Sequence, residues 1–220
     1  MKNAKESFAV IIPDRGDRPQ FITHLFRQMG RMTTKPDYTI HVNWTPLDSR
    51  FDLVERIHDG VKKAKDLGID LVFILENDDF YQPDHFERFL PFDGDIFGDD
   101  QTTYYHLKSR TYKVISHPGR ASLFTTGFRI SAFEGFQWSG DQFLDLRLWA
   151  WANKNKLRTK FVRTGAIGMK HGQGLCGGKG HKMVFPLCDP SMSWIRRNVD
   201  RYSYLFYAQI SRELWKEELA

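Results

Sequence analysis

Residues 71–83 read Leu-Val-Phe-Ile-Leu-Glu-Asn-Asp-Asp-Phe-Tyr-Gln-Pro. The first five are apolar without a break, which predicts a short strand covered on both faces. Polarity then reverses at once. Glu76, Asp78 and Asp79 follow, with Asn77 between them. Carboxylates this close at the end of a buried strand repel one another, and a divalent cation would offset that repulsion. Hard oxygen donors suit Mg2+ or Mn2+, with water and phosphate oxygens completing the shell. In extended backbone Glu76 and Asp78 point one way and Asn77 the other. Asn and Asp also form ordinary solvated turns, so the cluster by itself leaves both readings open.

The pattern extends upstream. Residues 8–12 (Phe-Ala-Val-Ile-Ile) are a second short apolar run, closed by Pro13. Residues 19–29 carry Phe21, Ile22, Leu25, Phe26 and Met29 at helical spacing behind Pro19, a favoured first-turn residue. Residues 38–44 read as a strand. Residues 53–67 read as a helix with Leu53, Val54, Ile57, Val61 and Ala64 on one face, stopped by Gly68. Strand and helix in alternation predict an α/β sandwich around a mainly parallel sheet. Ligands of such sheets sit beyond the carboxyl ends of the strands. The first strand ends in Pro13-Asp14-Arg15-Gly16-Asp17-Arg18-Pro19. Its arginines could fork to a diphosphate and Asp14 could accept hydrogen bonds from a base or ribose. A polar turn would look the same.

Downstream the texture changes. Short β-like pieces at 104–107, 112–116, 122–124 and 127–130 are separated by Gly, Pro and Ser. Residues 141–153 read as a helix with Phe143, Leu144, Leu148 and Trp151 inward, and 160–163 as a last strand. Residues 165–180 are glycine-rich, which predicts a mobile loop. Lys179, His181 and Lys182 could close over phosphates from it. Residues 193–219 read as one amphipathic helix packed on the domain. Asp141 and Asp145 are four apart and share a helix face; either could deprotonate an acceptor hydroxyl. His171, Cys176, His181 and Cys188 match no common zinc pattern, and the thiols are read as reduced and packed.

Composition narrows the classes. Of 220 residues, 41% are hydrophobic and 27% charged, which fits a globular protein and excludes disordered or collagen-like chains. No apolar run reaches membrane-spanning length. The start, residues 1–14, has too short an apolar run for a signal-peptide core. With only two cysteines, a reducing, cytoplasmic location is expected. A net charge of +5 suits a phosphate-bearing ligand better than a nucleic-acid surface, which usually shows a basic cluster.

Taken in order, these pieces resemble the GT-A fold glycosyltransferases, family 2 most closely. The opening turn of that family is similar to Ile-Ile-Pro-Asp-Arg-Gly-Asp-Arg-Pro at 11–19, with Arg18 and Pro19 in place and one extra residue. Its first helix resembles 20–29. Its Asp-Gly-Ser-like element resembles Asp48-Ser49, which lacks the glycine. Its Asp-x-Asp motif resembles Glu76-x-Asp78 with Pro83 behind it, Glu taking the first acidic place. Residues 125–133 resemble the strand entering the acceptor half. Residues 135–162 resemble the helix that carries the family's base, with Asp141 at its place and Asp145 next in line. Residues 168–174 place His171 where the family often has a histidine beside the metal.

The resemblance covers roughly residues 8–175. It implies a GT-A-like domain over 1–190, with a nucleotide-sugar half to about 92, an acceptor half after it and a helical extension over 191–220. It implies inverting transfer from a nucleotide-sugar to a hydroxyl. Mn2+ or Mg2+ would be held by Glu76, Asp78 and His171. Donor contacts would come from Pro13, Asp14, Arg15, Arg18, Asp48, Asn77, Lys179 and His181. The acceptor is expected to be a saccharide or glycoconjugate, with a modified DNA base less favoured. A nucleotidyltransferase and a non-catalytic sugar-binding module are the rival readings. The first usually carries a Gly-rich loop with Lys after its first strand, and the loop here has no Lys.

Overall fold

A computed structural model describes residues 7–45, 52–140, 143–172 and 185–219. In chain order the elements are β1 (Phe8–Pro13), α1 (Pro19–Arg31), β2 (Tyr38–Val42), α2 (Leu53–Asp66), β3 (Leu71–Ile74), β4 (Ile96–Gly98), β5 (Gln101–His106), β6 (Thr111–Ser116), β7 (Gly127–Arg129), α3 (Leu144–Lys154), β8 (Thr159–Phe161), β9 (Ile167–Lys170), β10 (Leu187–Cys188), α4 (Ser193–Asn198) and α5 (Arg201–Leu219). The main sheet has six strands in the order β2-β1-β3-β7-β4-β8. Every strand but β7 runs the same way, so the expected mainly parallel α/β sandwich is what the chain forms. A second sheet, β10-β6-β5-β9, lies beside it.

Alternation along β1 divides the core. Ala9 and Ile11 face α2 and α3, joining Val54, Ile57, Val61, Leu148 and Trp149. Phe8, Val10 and Ile12 face the other way, joining Leu25, Phe73, Phe86, Phe89 and Phe97. Each apolar side chain so buried contributes about 1.5–3 kcal/mol, and all of β1 is buried. The α2 layer can approach this closely only because Gly60 faces Ile11; a Cβ there would lie 2.4 Å from an Ile11 methyl. A third apolar cluster joins Phe21, Phe80, Tyr105, Ile167 and Met169 to Ile195, Tyr207, Ile210 and Leu214. The C-terminal helices therefore pack on α1 and on the second sheet.

Four expectations for the second half need correction. Residues 122–124 are not a strand: Leu123–Thr125 form a 3-10 turn, held by the Thr125 and Thr126 hydroxyls donating to the Ser122 carbonyl. The helix expected from 141 begins at Leu144, because Phe143 is left-handed (φ 58°) and 63% exposed rather than inward. The glycine-rich stretch contains a strand, β9. Gly168 lies in it because the Tyr104 ring leaves no room for a side chain, with a Cβ there only 2.6 Å from that ring. The last helix is two helices. Asp200 breaks it by capping α5 with bonds from the Tyr202 and Ser203 amides and the Ser203 hydroxyl. The strands β4 and β10 were not foreseen.

His85 and His24 are two of the four buried histidines among the described residues. His85 lies among Tyr81, Phe86 and Phe89, with ring centroids 5.1, 5.3 and 5.4 Å away. His24 stacks on Phe206 at 4.1 Å. Burial pushes His85 from 6.5 down to about 3 and His24 down to about 4. Both are neutral when folded, whereas the unfolded chain takes up their protons below about pH 6.5. Their stabilising contribution is full above that pH and falls as pH drops toward 4, by up to about 1.4 kcal/mol per pH unit for each ring. His85→Phe is expected to flatten the fall of melting temperature between pH 7 and 5. An unchanged slope would show that His85 is not buried neutral.

Candidate active site

The carboxyl ends of β1, β2 and β3 share one edge of the sheet, and the loops that follow meet there. Asp14 is 3% exposed. It receives Asn77 Nδ2 at 2.9 Å and the Gly16 amide at 3.1 Å, and lies 2.8 Å from His41 Nε2. Both of its oxygens are thus taken by the protein. Arg56, only 1% exposed, ties the loops together. Its Nη1 donates to the carbonyls of Asp14 (2.5 Å) and Val42 (3.3 Å), its Nη2 donates to Asp52 (2.9 Å), and its guanidinium lies 4.0 Å from the Trp44 ring centre. Arg15 joins Asp52 at 3.1 Å. Arg56→Leu takes one of two cations from buried Asp52 and the side-chain donor from the Asp14 carbonyl, so it is expected to lower stability by about 3 kcal/mol. Urea unfolding would report it; an unchanged midpoint would remove Arg56 from this role.

Glu76, Asp78 and Asp79 each offer an oxygen, all within 4.8 Å of one another. Asp79 belongs to the acidic cluster read from the sequence, though not to the expected ligand set of Glu76, Asp78 and His171. Its Oδ1 accepts the Met169 amide at 2.7 Å, and its Oδ2 is buried with no hydrogen-bond partner. Asn77 turns away as expected, bonding Asp14 and accepting Arg18 Nη2 at 3.3 Å. Asp78 Oδ2 lies 2.8 Å from Arg18 Nη1 and 2.8 Å from His171 Nε2. The distant sequence positions 18, 78 and 171 therefore meet at one point. Tyr207 of α5 donates to the Asp78 carbonyl at 3.3 Å, and Gln28 of α1 donates to the Asp79 carbonyl at 3.0 Å.

Electrostatics separates the three acids. Burial pushes Glu76 up to about 7; the Lys170 charge opposes this, while Asp78 and Asp145 add to it. Burial also raises Asp79, with Asp78 next. Burial acts upward on Asp78 too, but His171 and the Arg18 guanidinium outweigh it and hold this carboxyl well below the usual range. Lys170, at the end of β9, is the protein's own counter-charge. Burial works against its charge, yet Asp79, Glu76 and Asp78 outweigh that and raise its pKa. Nothing in the sequence singled it out beyond its place next to His171.

Asp145 occupies the first turn of α3. Its Oδ2 accepts Arg120 Nη1 at 2.9 Å. Burial raises its pKa against the pull of Arg120, and its charge is felt at Glu76. Pro13 closes β1, buried beside the cluster's loops. Asp48, Asp141, Cys176, Lys179, His181 and Lys182 lie outside the described residues, as does most of the glycine-rich stretch. Cys188 is exposed, not packed, because β10 sits at the sheet edge. Among the described residues no helix is long and apolar enough to cross a membrane.

No protein-family model and no curated protein matches the sequence. Solved structures do match. A variant of Drosophila β1,4-galactosyltransferase 7, in complex with manganese, UDP-Gal and xylobiose, is 15% identical, with 71% of this chain and 64% of that one covered and a TM-score of 0.51. Staphylococcus aureus TarS, residues 1–349, in complex with UDP-GlcNAc, is 13% identical, with 80% of this chain and 61% of that one covered and a TM-score of 0.51. The chain thus spans less than two thirds of either neighbour. It has the GT-A-type α/β fold of these glycosyltransferase structures.

Proposed function

We propose that this chain is a metal-dependent glycosyltransferase that moves a sugar from a nucleotide-sugar to an acceptor hydroxyl. The observation that carries this reading is the convergence of Glu76, Asp78, Asp79, His171 and Arg18 at the carboxyl edge of the sheet. The neighbours' complexes with UDP-sugars, one of them with manganese, support it. Three clustered carboxylates, one with a buried unpartnered oxygen, fit a hard cation. Glu76, Asp78 and His171 would hold Mn2+ or Mg2+, with Asp79 beside them. When bound, such an ion supplies positive charge against a departing nucleoside diphosphate.

The chain's own residues do the rest. Arg18 is placed to hold phosphate oxygens. Asp14 shapes the nucleoside side of the site by fixing Asn77 and His41, with Pro13 and Arg15 beside it. Asp48, Lys179 and His181 remain candidates for donor contacts. Asp145, or Asp141 just before it, removes the acceptor hydroxyl proton onto a carboxylate oxygen as the new bond forms. A single displacement of this kind inverts the anomeric centre. Residues 1–92 would form the donor half, 93–190 the acceptor half and 191–220 a helical extension, with a saccharide or glycoconjugate as acceptor. Calorimetric titration with a panel of nucleotide-sugars, with and without Mn2+, tests the class. One donor should bind in Mn2+ and far more weakly in EDTA. Failure of every nucleotide-sugar to bind in either condition would end this reading.

A further inference from the structure

The contact between Arg18, Asp78 and His171 cannot be satisfied as it stands. Arg18 Nη1, Asp78 Oδ2 and His171 Nε2 lie at mutual distances of 2.8 Å. A guanidinium nitrogen only donates, an ionised carboxylate only accepts, and Nε2 does one or the other. With a proton on Nε2 the ring serves Asp78 but meets the N–H groups of Arg18. Without that proton it serves Arg18 but meets the lone pairs of Asp78. In either tautomer one of the three contacts is unfavourable.

The triangle makes sense as a coordination edge. Two neighbouring ligands of an octahedral ion, each about 2.1 Å from it, lie about 3 Å apart. Asp78 Oδ2 and His171 Nε2 are 2.8 Å apart, close to that spacing. The positive Nη1 touches both atoms at once. The other contacts of Arg18 are longer: its Nη2 reaches Asn77 at 3.3 Å, its buried Nε comes no nearer to Asp17 than 3.5 Å, and its guanidinium lies 5.7 Å from the Phe21 ring centre. Arg18 stands directly before α1, on the loop after β1, where an anion entering over that loop would meet it.

We infer that Arg18 is a stand-in for the cation: it occupies the Asp78–His171 edge of the metal site until a diphosphate draws it away. This rests on the metal-dependent reading above. A metal ion arriving alone must displace a charge-assisted hydrogen bond, whereas an ion arriving with a diphosphate does not, because the anion takes the guanidinium. The cation and the nucleotide then bind cooperatively, and the free protein is protected from stray divalent ions.

Binding of Mn2+ alone, followed by loss of the free-ion electron paramagnetic resonance signal, tests this. Arg18→Gln is expected to bind Mn2+ without nucleotide about tenfold or more tighter than the natural chain. Arg27→Gln removes the same charge from the exposed side of α1, the helix that follows this loop, and is expected to leave that affinity within about twofold, since exposed charges act weakly. Melting temperatures of both variants check that they fold. The ratio of Mn2+ affinities with and without UDP should also shrink in Arg18→Gln. If UDP promotes Mn2+ binding but Arg18→Gln and the natural chain bind Mn2+ alone equally, or Arg27→Gln gains as much as Arg18→Gln, the stand-in role is wrong while the metal site survives. If no Mn2+ binds to any form with any nucleoside diphosphate, the metal-dependent reading fails and the stand-in role with it.

Discussion

Asp145→Asn is expected to lower turnover by about 10²–10⁴-fold, the range that a positioned general base contributes, while donor affinity stays nearly unchanged. Two observations favour Asp145 for this role. The helix begins at Leu144, so the acid in its first turn is Asp145. Burial also outweighs the Arg120 charge and raises its pKa, which makes its carboxylate a better proton acceptor than an exposed Asp. The ion pair with Arg120 fixes where that carboxylate points. Asp141→Asn is the matched control, four residues earlier. Single-turnover measurements on both variants decide the assignment. Loss in Asp141→Asn with near-normal rates in Asp145→Asn would move the base four residues toward the N-terminus. Normal rates in both would remove general-base catalysis by this helix.

Asp78→Asn should be the most damaging change on the donor side. It keeps the shape of the side chain but removes the charge that faces Arg18 and His171. Outer-shell partners of metal sites cost about 10–100-fold in affinity when lost, so a direct ligand should cost at least as much. Nucleoside diphosphate binding in Mn2+ should therefore weaken by about 100-fold or more and change little in EDTA. Equal binding of variant and natural chain in Mn2+ would exclude Asp78 as a ligand. Asp79→Asn is informative beside it. Asp79 already spends one oxygen on the Met169 amide, so a smaller loss there would rank it as a support of the site.

The first half of the fold was legible because its elements are local and periodic. The runs at 8–12 and 71–75 announce strands, and the spacing of Val54, Ile57, Val61 and Ala64 announces α2. The second half was harder, for physical reasons. β4 and β10 are only three and two residues long, too short for any period. β9 hides in a glycine-rich stretch because its glycine serves packing on Tyr104. At the site, Arg18, Asp78 and His171 were each readable from motif order, and the structure brings them together. Lys170, Arg56 and Tyr207 were not, since what matters in each is a tertiary partner, and Asp79 was legible as a member of the acidic cluster but not in its bond to the Met169 amide. Arg56 is buried on α2 among apolar residues, and only its tertiary partners, the carbonyls of Asp14 and Val42, the Asp52 carboxylate and the Trp44 ring, explain it.

The hydrogen bond from Tyr207 to the Asp78 carbonyl spans 129 residues of chain, and the one from the Met169 amide to Asp79 spans 90. At ribosomal speeds of about 5–20 residues per second, the longer gap takes roughly 6–26 s to translate. Throughout that interval β1, β2 and β3 can already pair, while their acidic cluster waits for the groups that later surround it. The edge of β3 that β7 will cover is open for part of the same time, a template for wrong pairing between nascent chains. The site is therefore assembled last, although its acids are made early. Chains stalled before residue 170 should hold a protected N-terminal sheet by hydrogen exchange, yet fail to capture a nucleoside diphosphate with Mn2+.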